Sequence, residues 1–172
     1  YMGGYKFVKD MVEAQMDAME IKVPVILNLD HGDYDAAIEC INLGYSSVMF
    51  DGHKLPIEEN YAKTKEIVQL AHSRGIAVEA EIGKVGENQD TSSGELADVE
   101  DAMAFAAMGV DRLACGIGNI HVIYPANWPG LDFDRLQEIA NAIDIPLVLH
   151  GGSGIPREQV QKAISMGIAK VN

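Results

Sequence analysis

The residues best suited to chemistry are three histidines, His31, His121 and His150, each of which follows a short apolar run. If those runs are parallel strands, their carboxyl ends meet at one rim and the three imidazoles converge. Three imidazoles with an open fourth position form a recurrent catalytic zinc site. One such histidine could instead cap a loop or bond a backbone carbonyl, but three, with acids beside them, favour a metal site.

An acid, Asp30, directly precedes His31. Neighbouring strand residues point to opposite faces, so both can face one centre only where the strand ends and the backbone turns. Gly32 permits such a close turn. An acid beside a metal ligand can move protons at a bound substrate. The alternative role, a helix N-cap, suits Asp33 better because of its spacing from the next helix.

Two further acids, Asp51 and Glu81, provide hard oxygen donors on the middle strands. They predict a second divalent-cation site, or a second position for the first metal. The alternative is that both are core carboxylates bonded by their neighbours. His53 is expected near this site without touching the metal, and His72 on the surface of a helix.

A glycine-rich turn, HGGSG at 150–154, includes the third histidine. Glycines let backbone N–H groups approach an anion, and Ser153 adds a hydroxyl donor. Barrel enzymes often bind phosphate at their late strands. The turn therefore predicts a phosphate site, although many such turns are only tight connections.

Short apolar runs alternate with segments of helical periodicity. Strands are predicted at 23–29, 46–50, 77–82, 112–117, 147–149 and 169–171. Helices are predicted at 7–19, 34–43, 60–73, 99–108, 134–142 and 157–166, the first with an apolar stripe that includes Phe7, Met11 and Met19. This serial βα pattern indicates a single α/β domain over residues 1–172.

Two α/β architectures are compatible with this order. A doubly wound sheet usually places its chemistry at one switch point, whereas a (β/α)8 TIM barrel places it after every strand on one rim. Nearly every strand here ends in polar residues, which favours the barrel. A full barrel needs about 250 residues, so about six of eight βα units are expected, and the sequence is expected to be a fragment.

The composition excludes several function classes. The formal charge of −13, from 26 acidic and 13 basic residues without a basic block, argues against nucleic-acid binding. No apolar run approaches the ~18 residues of a membrane helix. Cys40 and Cys115 do not suggest a disulfide framework, and no signal pattern is present, so a cytoplasmic protein is expected.

The motifs VPVILNLDHG, SVMFDGHKLPIEEN, VEAEIGKVG, GIGNIHVIYPANWPGLDF and IPLVLHGGSGIP resemble the zinc-dependent, class II fructose-bisphosphate aldolases of the Gram-positive bacterial type. The resemblance spans essentially the whole chain. It implies reversible cleavage of fructose 1,6-bisphosphate to dihydroxyacetone phosphate and glyceraldehyde 3-phosphate. It also implies a monovalent cation as a further cofactor and a homo-oligomer, dimer or tetramer. Tagatose-bisphosphate aldolase, or a non-catalytic divergent or truncated member, are the alternatives.

The resemblance implies a role for individual positions. Asp30 matches the catalytic acid/base, and Asp51 and Glu81 match the residues that hold zinc in an alternative position. The positions matching zinc ligands are His31, His121 and His150. The positions matching contacts to the phosphate or the dihydroxyacetone unit are Val122, Gly151, Gly152, Ser153 and Asn172.

Two departures from the family pattern concern the site. Val122 replaces a glycine whose backbone helps hold phosphate. In the loop 84–96, which is expected to be a mobile lid, Gln89 aligns with the glutamate that abstracts the substrate proton. Because glutamine cannot act as a base, Glu87 is predicted to fill that role.

Overall fold

The computed structural model describes residues 3–83, 85, 95–121 and 123–172. Six helices and six strands alternate along this part of the chain. The helices are α1 (Tyr5–Ala18), α2 (Tyr34–Leu43), α3 (Ile57–His72), α4 (Val99–Met108), α5 (Phe133–Ala142) and α6 (Arg157–Ser165). The strands are β1 (Asn28–Gly32), β2 (Ser47–Phe50), β3 (Ala77–Ile82), β4 (Arg112–Cys115), β5 (Leu147–Leu149) and β6 (Ile168–Val171).

All six strands form one parallel sheet in the order β1-β2-β3-β4-β5-β6. The sheet curls, so that the two outer strands approach each other at their carboxyl ends. There the Asn172 side-chain amide donates a hydrogen bond of 2.9 Å to Asp30. This arrangement corresponds to about six of the eight units of a (β/α)8 barrel, which confirms the predicted fold class.

The sheet buries residues on both of its faces. Toward the helices lies the main core, which includes Val78, Phe105 and Leu136. Inside the curl lies a smaller apolar group, Met49, Ala114 and Val148. Since successive strand residues alternate between these two interiors, the strands are apolar at successive positions, as a parallel sheet covered on both faces requires.

The first strand and first helix differ from the sequence-based expectation. Residues 23–27 lie outside the strand, and Val23 and Ile26 are exposed. The ladder with β2 begins only at Asn28, opposite Ser47, and Pro24 has no N–H to donate to a ladder. The apolar stripe of α1 is also exposed in part, because this helix packs mainly against α2.

Asp33, and not Asp30, is the N-cap of α2. Asp33 caps this helix by accepting a hydrogen bond of 2.9 Å from the amide of Ala36, as predicted. Gly44 ends the same helix in the left-handed conformation, with φ 80°.

In the described part of the chain, no helix combines the length and the apolar character that crossing a membrane requires.

Candidate metal and substrate site

The end of β1 presents two adjacent residues to one cavity. The pairing with β2 is irregular between Leu29 and Gly32, and His31 has a φ of 48°. This left-handed residue breaks the alternation of the strand, so that both Asp30 and His31 line the cavity. At Gly32 the chain passes close to its neighbours: a Cβ there would lie 2.4 Å from Leu29 Cδ2 and 3.2 Å from the Met49 carbonyl oxygen.

The three predicted histidines converge at the carboxyl rim of the sheet. A ligand atom from each of His31, His121 and His150 lies within 4.8 Å of the others. The rings meet edge to face, with centroid distances of 4.8 Å, 4.5 Å and 5.7 Å. Because the residues come from the ends of β1 and β5 and from the loop after β4, the curl of the sheet brings them together.

Carboxylates fix the orientation of two of these rings. His31 Nδ1 bonds Asp51 Oδ2 at 2.9 Å, and His150 Nε2 bonds Glu79 Oε1 at 2.9 Å. The remaining nitrogens, His31 Nε2 and His150 Nδ1, face each other at 2.9 Å. Histidines that bind a metal usually direct one ring nitrogen at the metal and hydrogen-bond the other to a carboxylate. Both His31 and His150 have this arrangement.

A second group of donors, His31, Asp51 and Glu81, adjoins the first. Glu81 is 3% exposed, and its Oε2 has no hydrogen-bond partner among the described residues. That oxygen lies 3.9 Å from His31 Nδ1. A buried carboxylate oxygen without a partner is costly unless a cation engages it. The donor set therefore fits a divalent cation that sits at, or moves toward, the middle strands.

The two acids of this second group titrate in opposite directions. Burial, followed by the charge of Asp51, raises the pKa of Glu81 to about 8. Burial alone would raise the pKa of Asp51, but hydrogen bonds from His31 and His53 outweigh it and hold that pKa well below its usual range. His53 Nδ1 lies 2.5 Å from Asp51 Oδ1, so this histidine is near the site, as predicted.

The three histidines also differ in their electrostatic surroundings. The hydrogen bond to Asp51 raises the pKa of His31 despite its burial. Burial, and then the neighbouring charges of His31 and His150, lowers the pKa of His121. Since a metal binds the neutral imidazole, the lowered pKa of His121 favours metal binding. For His31, the hydrogen bond to Asp51 orients the ring but also favours its protonated form.

The histidines lie between two cavities. One, of about 500 Å³, contains Asp30, the three histidines, the glycine-rich turn and Asn172. The other, of about 300 Å³, is on the side of Asp51, His53 and Glu81. Both volumes are within, or at the lower limit of, the range of small-molecule sites.

The glycine-rich turn approaches the neighbouring loop closely. A Cβ on Gly151 would lie 2.1 Å from the carbonyl oxygen of Ile120, and one on Gly152 would lie 2.7 Å from that of Asn172. The Gly152 amide already donates to the Asn172 carbonyl at 2.8 Å. Gly152 is therefore required for space and does not offer its N–H to an anion, whereas Ser153 is exposed and lines the larger cavity.

Asn172 connects the candidate acid with the candidate ligands. Besides its bond to Asp30, its Nδ2 lies 3.4 Å from His150 Nδ1. Its backbone amide continues the β5–β6 ladder by donating to Leu149. Its side chain thus lies at the rim, between Asp30 and His150.

Sequence reasoning missed three polar residues that support the site. Glu79 bonds His150, and Asn119 donates to the His150 carbonyl at 2.9 Å. The Tyr124 hydroxyl accepts from the Ile120 amide at 3.1 Å and donates to the Gly151 carbonyl at 2.9 Å. For Glu79 a signal existed: a charged residue in the apolar run AVEAEI, two positions before Glu81, must share its inward face.

Part of the predicted site lies outside the described residues. This applies to Glu87 and Gln89 in the loop 84–96, and to Val122 beside His121. Their proposed roles remain predictions from the sequence.

Comparison with known proteins gives one consistent family. The family model for class-II fructose-bisphosphate aldolases matches residues 1–172. The fructose-bisphosphate aldolase of Streptococcus pneumoniae serotype 4 is 54% identical over 175 residues, which cover 100% of this chain and 60% of that protein. The corresponding protein of Ureaplasma parvum is 52% identical, with the same coverage. The chain thus spans about three fifths of the length of these curated relatives.

Solved structures agree with this result. A crystal structure of a candidate fructose-1,6-biphosphate aldolase from Coccidioides immitis has a TM-score of 0.85 at 34% identity, covering 98% of this chain and 62% of that one. The YdjI aldolase of Escherichia coli K12 has a TM-score of 0.78 at 36% identity, covering 95% and 58%. On these matches, the chain belongs to the class II fructose-bisphosphate aldolase family.

Proposed function

We propose that the protein containing this chain is a zinc-dependent aldolase. It would reversibly cleave fructose 1,6-bisphosphate to dihydroxyacetone phosphate and glyceraldehyde 3-phosphate. The observation that carries this proposal is the convergence of His31, His121 and His150 in one cavity with Asp30 beside them. The family membership supports the reaction class.

His31, His121 and His150 would hold the catalytic zinc. Three histidine nitrogens from separate elements form a donor set that suits a catalytic zinc, and they line the larger cavity together with Asp30. Zinc held there would supply a Lewis acid that stabilises negative charge on the dihydroxyacetone part of the substrate. Asp51 and Glu81 would hold zinc in an alternative position, which the unpartnered buried oxygen of Glu81 supports.

Asp30 would transfer the proton of the substrate hydroxyl. In cleavage it accepts the proton of the C4 hydroxyl, and in condensation it returns that proton to the aldehyde oxygen. Its place beside His31, in the same cavity, keeps it within reach of a substrate at the metal. The hydrogen bond from Asn172 orients the carboxylate and leaves its other oxygen for the substrate.

The phosphate of the dihydroxyacetone unit would lie against the turn after β5. Ser153 offers a hydroxyl, and Gly151 lines the same cavity, while Gly152 lets the turn pack against the Asn172 carbonyl. Val122 would border the same phosphate, and Asn172 would contact the dihydroxyacetone unit. Binding the phosphate away from the reacting carbons fixes the geometry of those carbons.

The carbon-acid base would come from the loop 84–96. Glu87 is the carboxylate proposed for this task, since Gln89 cannot accept a proton. Proton exchange at the dihydroxyacetone phosphate carbon would test it: Glu87→Gln should suppress exchange strongly. If Glu87→Gln leaves the exchange unchanged and Gln89→Glu increases it, position 89 is the base position. This chain would then belong to an aldolase weakened by the loss of its base.

Family resemblance also supports a cytoplasmic homo-oligomer, a dimer or a tetramer. Analytical ultracentrifugation of the full protein would test the assembly. A single monomeric species at micromolar concentration would contradict it.

The decisive assay compares cleavage of fructose 1,6-bisphosphate and tagatose 1,6-bisphosphate by the full protein. Activity on the fructose substrate should disappear after chelation and return with zinc. Cleavage of the tagatose substrate alone would instead identify a tagatose-bisphosphate aldolase, whose substrate has the other configuration at C4. Full activity in the chelated protein would overturn the zinc proposal, and no activity on either substrate with zinc bound would indicate a non-catalytic member.

A further inference from the structure

Glu79 is the most thoroughly bonded buried carboxylate in the described part of the chain. It is 0% exposed and lies on β3, facing the interior of the curled sheet. Its Oε1 accepts from His150 Nε2 at 2.9 Å. Its Oε2 accepts from Arg112 Nε at 2.5 Å and from Lys170 Nζ at 2.8 Å. Both oxygens are therefore engaged, and one of them is bonded to a proposed zinc ligand.

The two cations come from strands that fix the position of this carboxylate. Arg112 is the register partner of Glu79 on β4, and Lys170 reaches it from β6. Arg112 also donates to Asn28 on β1 at 3.0 Å and to Ser47 on β2. The carboxylate is thus held by a network that reaches nearly every strand, which leaves it little freedom to rotate.

The hydrogen bond to Glu79 is the main contact of His150 Nε2, the ring nitrogen that faces away from His31. The ring is 1% exposed, so water cannot readily replace Glu79 at Nε2. A carboxylate on the outer nitrogen of a histidine fixes the tautomer with the proton there and leaves the other nitrogen free to bind a metal. In this structure that other nitrogen, Nδ1, faces His31 Nε2 at 2.9 Å.

We propose that Glu79 is a positioning residue for the metal: it holds His150 with Nε2 protonated and Nδ1 directed into the site, and Arg112 and Lys170 keep its carboxylate in place. This inference rests on the proposed metal site. It differs from a purely structural role, in which the same ion pairs would only stabilise the interior of the sheet.

Glu79→Gln separates the two roles because glutamine has a single acceptor oxygen for three donors. Arg112 and Lys170 can only be satisfied by that oxygen, so the NH2 group turns toward His150 Nε2. That contact favours the tautomer with the proton on Nδ1, which cannot bind a metal. A structural role predicts no such effect on the histidine.

The experiment measures zinc affinity of the full protein by competition with a chelator, together with the visible spectrum of the cobalt(II) form. Glu79→Gln should weaken zinc binding about tenfold to a hundredfold and alter the cobalt spectrum. Ile139→Ala, a truncation in the main core, serves as the control: it should lower the melting temperature and leave both metal readouts unchanged.

The outcomes distinguish this proposal from the proposed function. If the parent protein binds zinc tightly and Glu79→Gln binds it equally well with an unchanged cobalt spectrum, the positioning role is wrong and the metal site stands. If the parent protein binds no zinc at the histidines, the proposed function fails and this inference with it. Should Glu79→Gln not fold, Glu79→Asp withdraws the carboxylate from His150 and must show the same loss of affinity; parent-like affinity overturns the proposal.

Discussion

Glu79 and Glu81 are two inward-facing carboxylates on one strand, two residues apart and both buried, yet their surroundings differ sharply. Three cationic or N–H donors bond Glu79, and although burial opposes it, these bonds lower its pKa to about 2. Around Glu81, burial and the nearby Asp51 raise the pKa to about 8, and Oε2 has no partner among the described residues.

The difference follows from position along the strand axis. Glu79 lies one layer below the rim, where Arg112 and Lys170 reach inward from β4 and β6. Glu81 lies at the rim, beside His31 and Asp51, in a group of donors that could hold a metal ion. The protein's own donors therefore bond the glutamate in the lower layer. The glutamate at the rim keeps a carboxylate oxygen that is suited to a bound cation.

Asp30 extends the comparison to a carboxylate at the exposed end of β1. Because the role proposed for Asp30 is proton transfer to the substrate, Asp30→Ala should retain zinc and stability but lose activity about 100- to 10,000-fold. Steady-state cleavage kinetics and zinc content of the purified variant check this. Loss of zinc as complete as that caused by His31→Ala would show that Asp30 is a ligand.

Matched glutamine substitutions test the two β3 carboxylates directly. Glu79→Gln should lower the free energy of unfolding by about 3 kcal/mol, because it leaves two cations at a buried site with reduced compensation. In metal-free protein, Glu81→Gln should not lower the free energy of unfolding and should raise it relative to the parent as pH increases toward 8, since it removes a buried carboxyl whose ionisation the fold disfavours. Urea unfolding with a chelator present measures both. Equal losses would abolish the distinction.

The raised pKa of Glu81 makes the stability of the metal-free protein depend on pH. The folded state keeps the proton up to about pH 8, whereas the ordinary value is 4.5, so the folded state loses stability as pH rises through that interval. One proton contributes a slope of at most about 1.4 kcal/mol per pH unit.

Urea unfolding of chelated protein at several pH values measures this slope. Glu81→Gln should reduce it, and Glu158→Gln, at an exposed position in the first turn of α6, should not. A parent protein whose stability is constant or rises over this interval, with no effect of Glu81→Gln, would show that Glu81 ionises normally.

The fold was largely predictable because it depends on periodicity. Doubly covered strands gave continuous apolar runs, and Asp33 and Gly44 marked the ends of α2. Periodicity misplaced β1 because apolar residues 23–27 resemble strand residues, whereas the ladder partner Ser47 decides where the strand begins. No local pattern reports which residue faces which partner across the sheet.

The rim residues were predictable for a related reason. Polar side chains such as His31 and His150 stand out at the ends of apolar strands. Glu79 stood out less, since its partner His150 is 71 residues distant and depends on the curl of the sheet. The left-handed backbone of His31 could not be read from the sequence either, because only glycine strongly signals that conformation.

We propose that His31, His121 and His150 would together hold one catalytic zinc. Equilibrium dialysis with zinc, applied to the full protein and to the three single histidine-to-alanine variants, tests it most directly. We expect one tightly bound zinc in the parent protein, greatly weakened binding in every variant, and loss of fructose 1,6-bisphosphate cleavage in parallel. Parent-like zinc affinity in all three variants, or cleavage that survives complete removal of the metal, would contradict it.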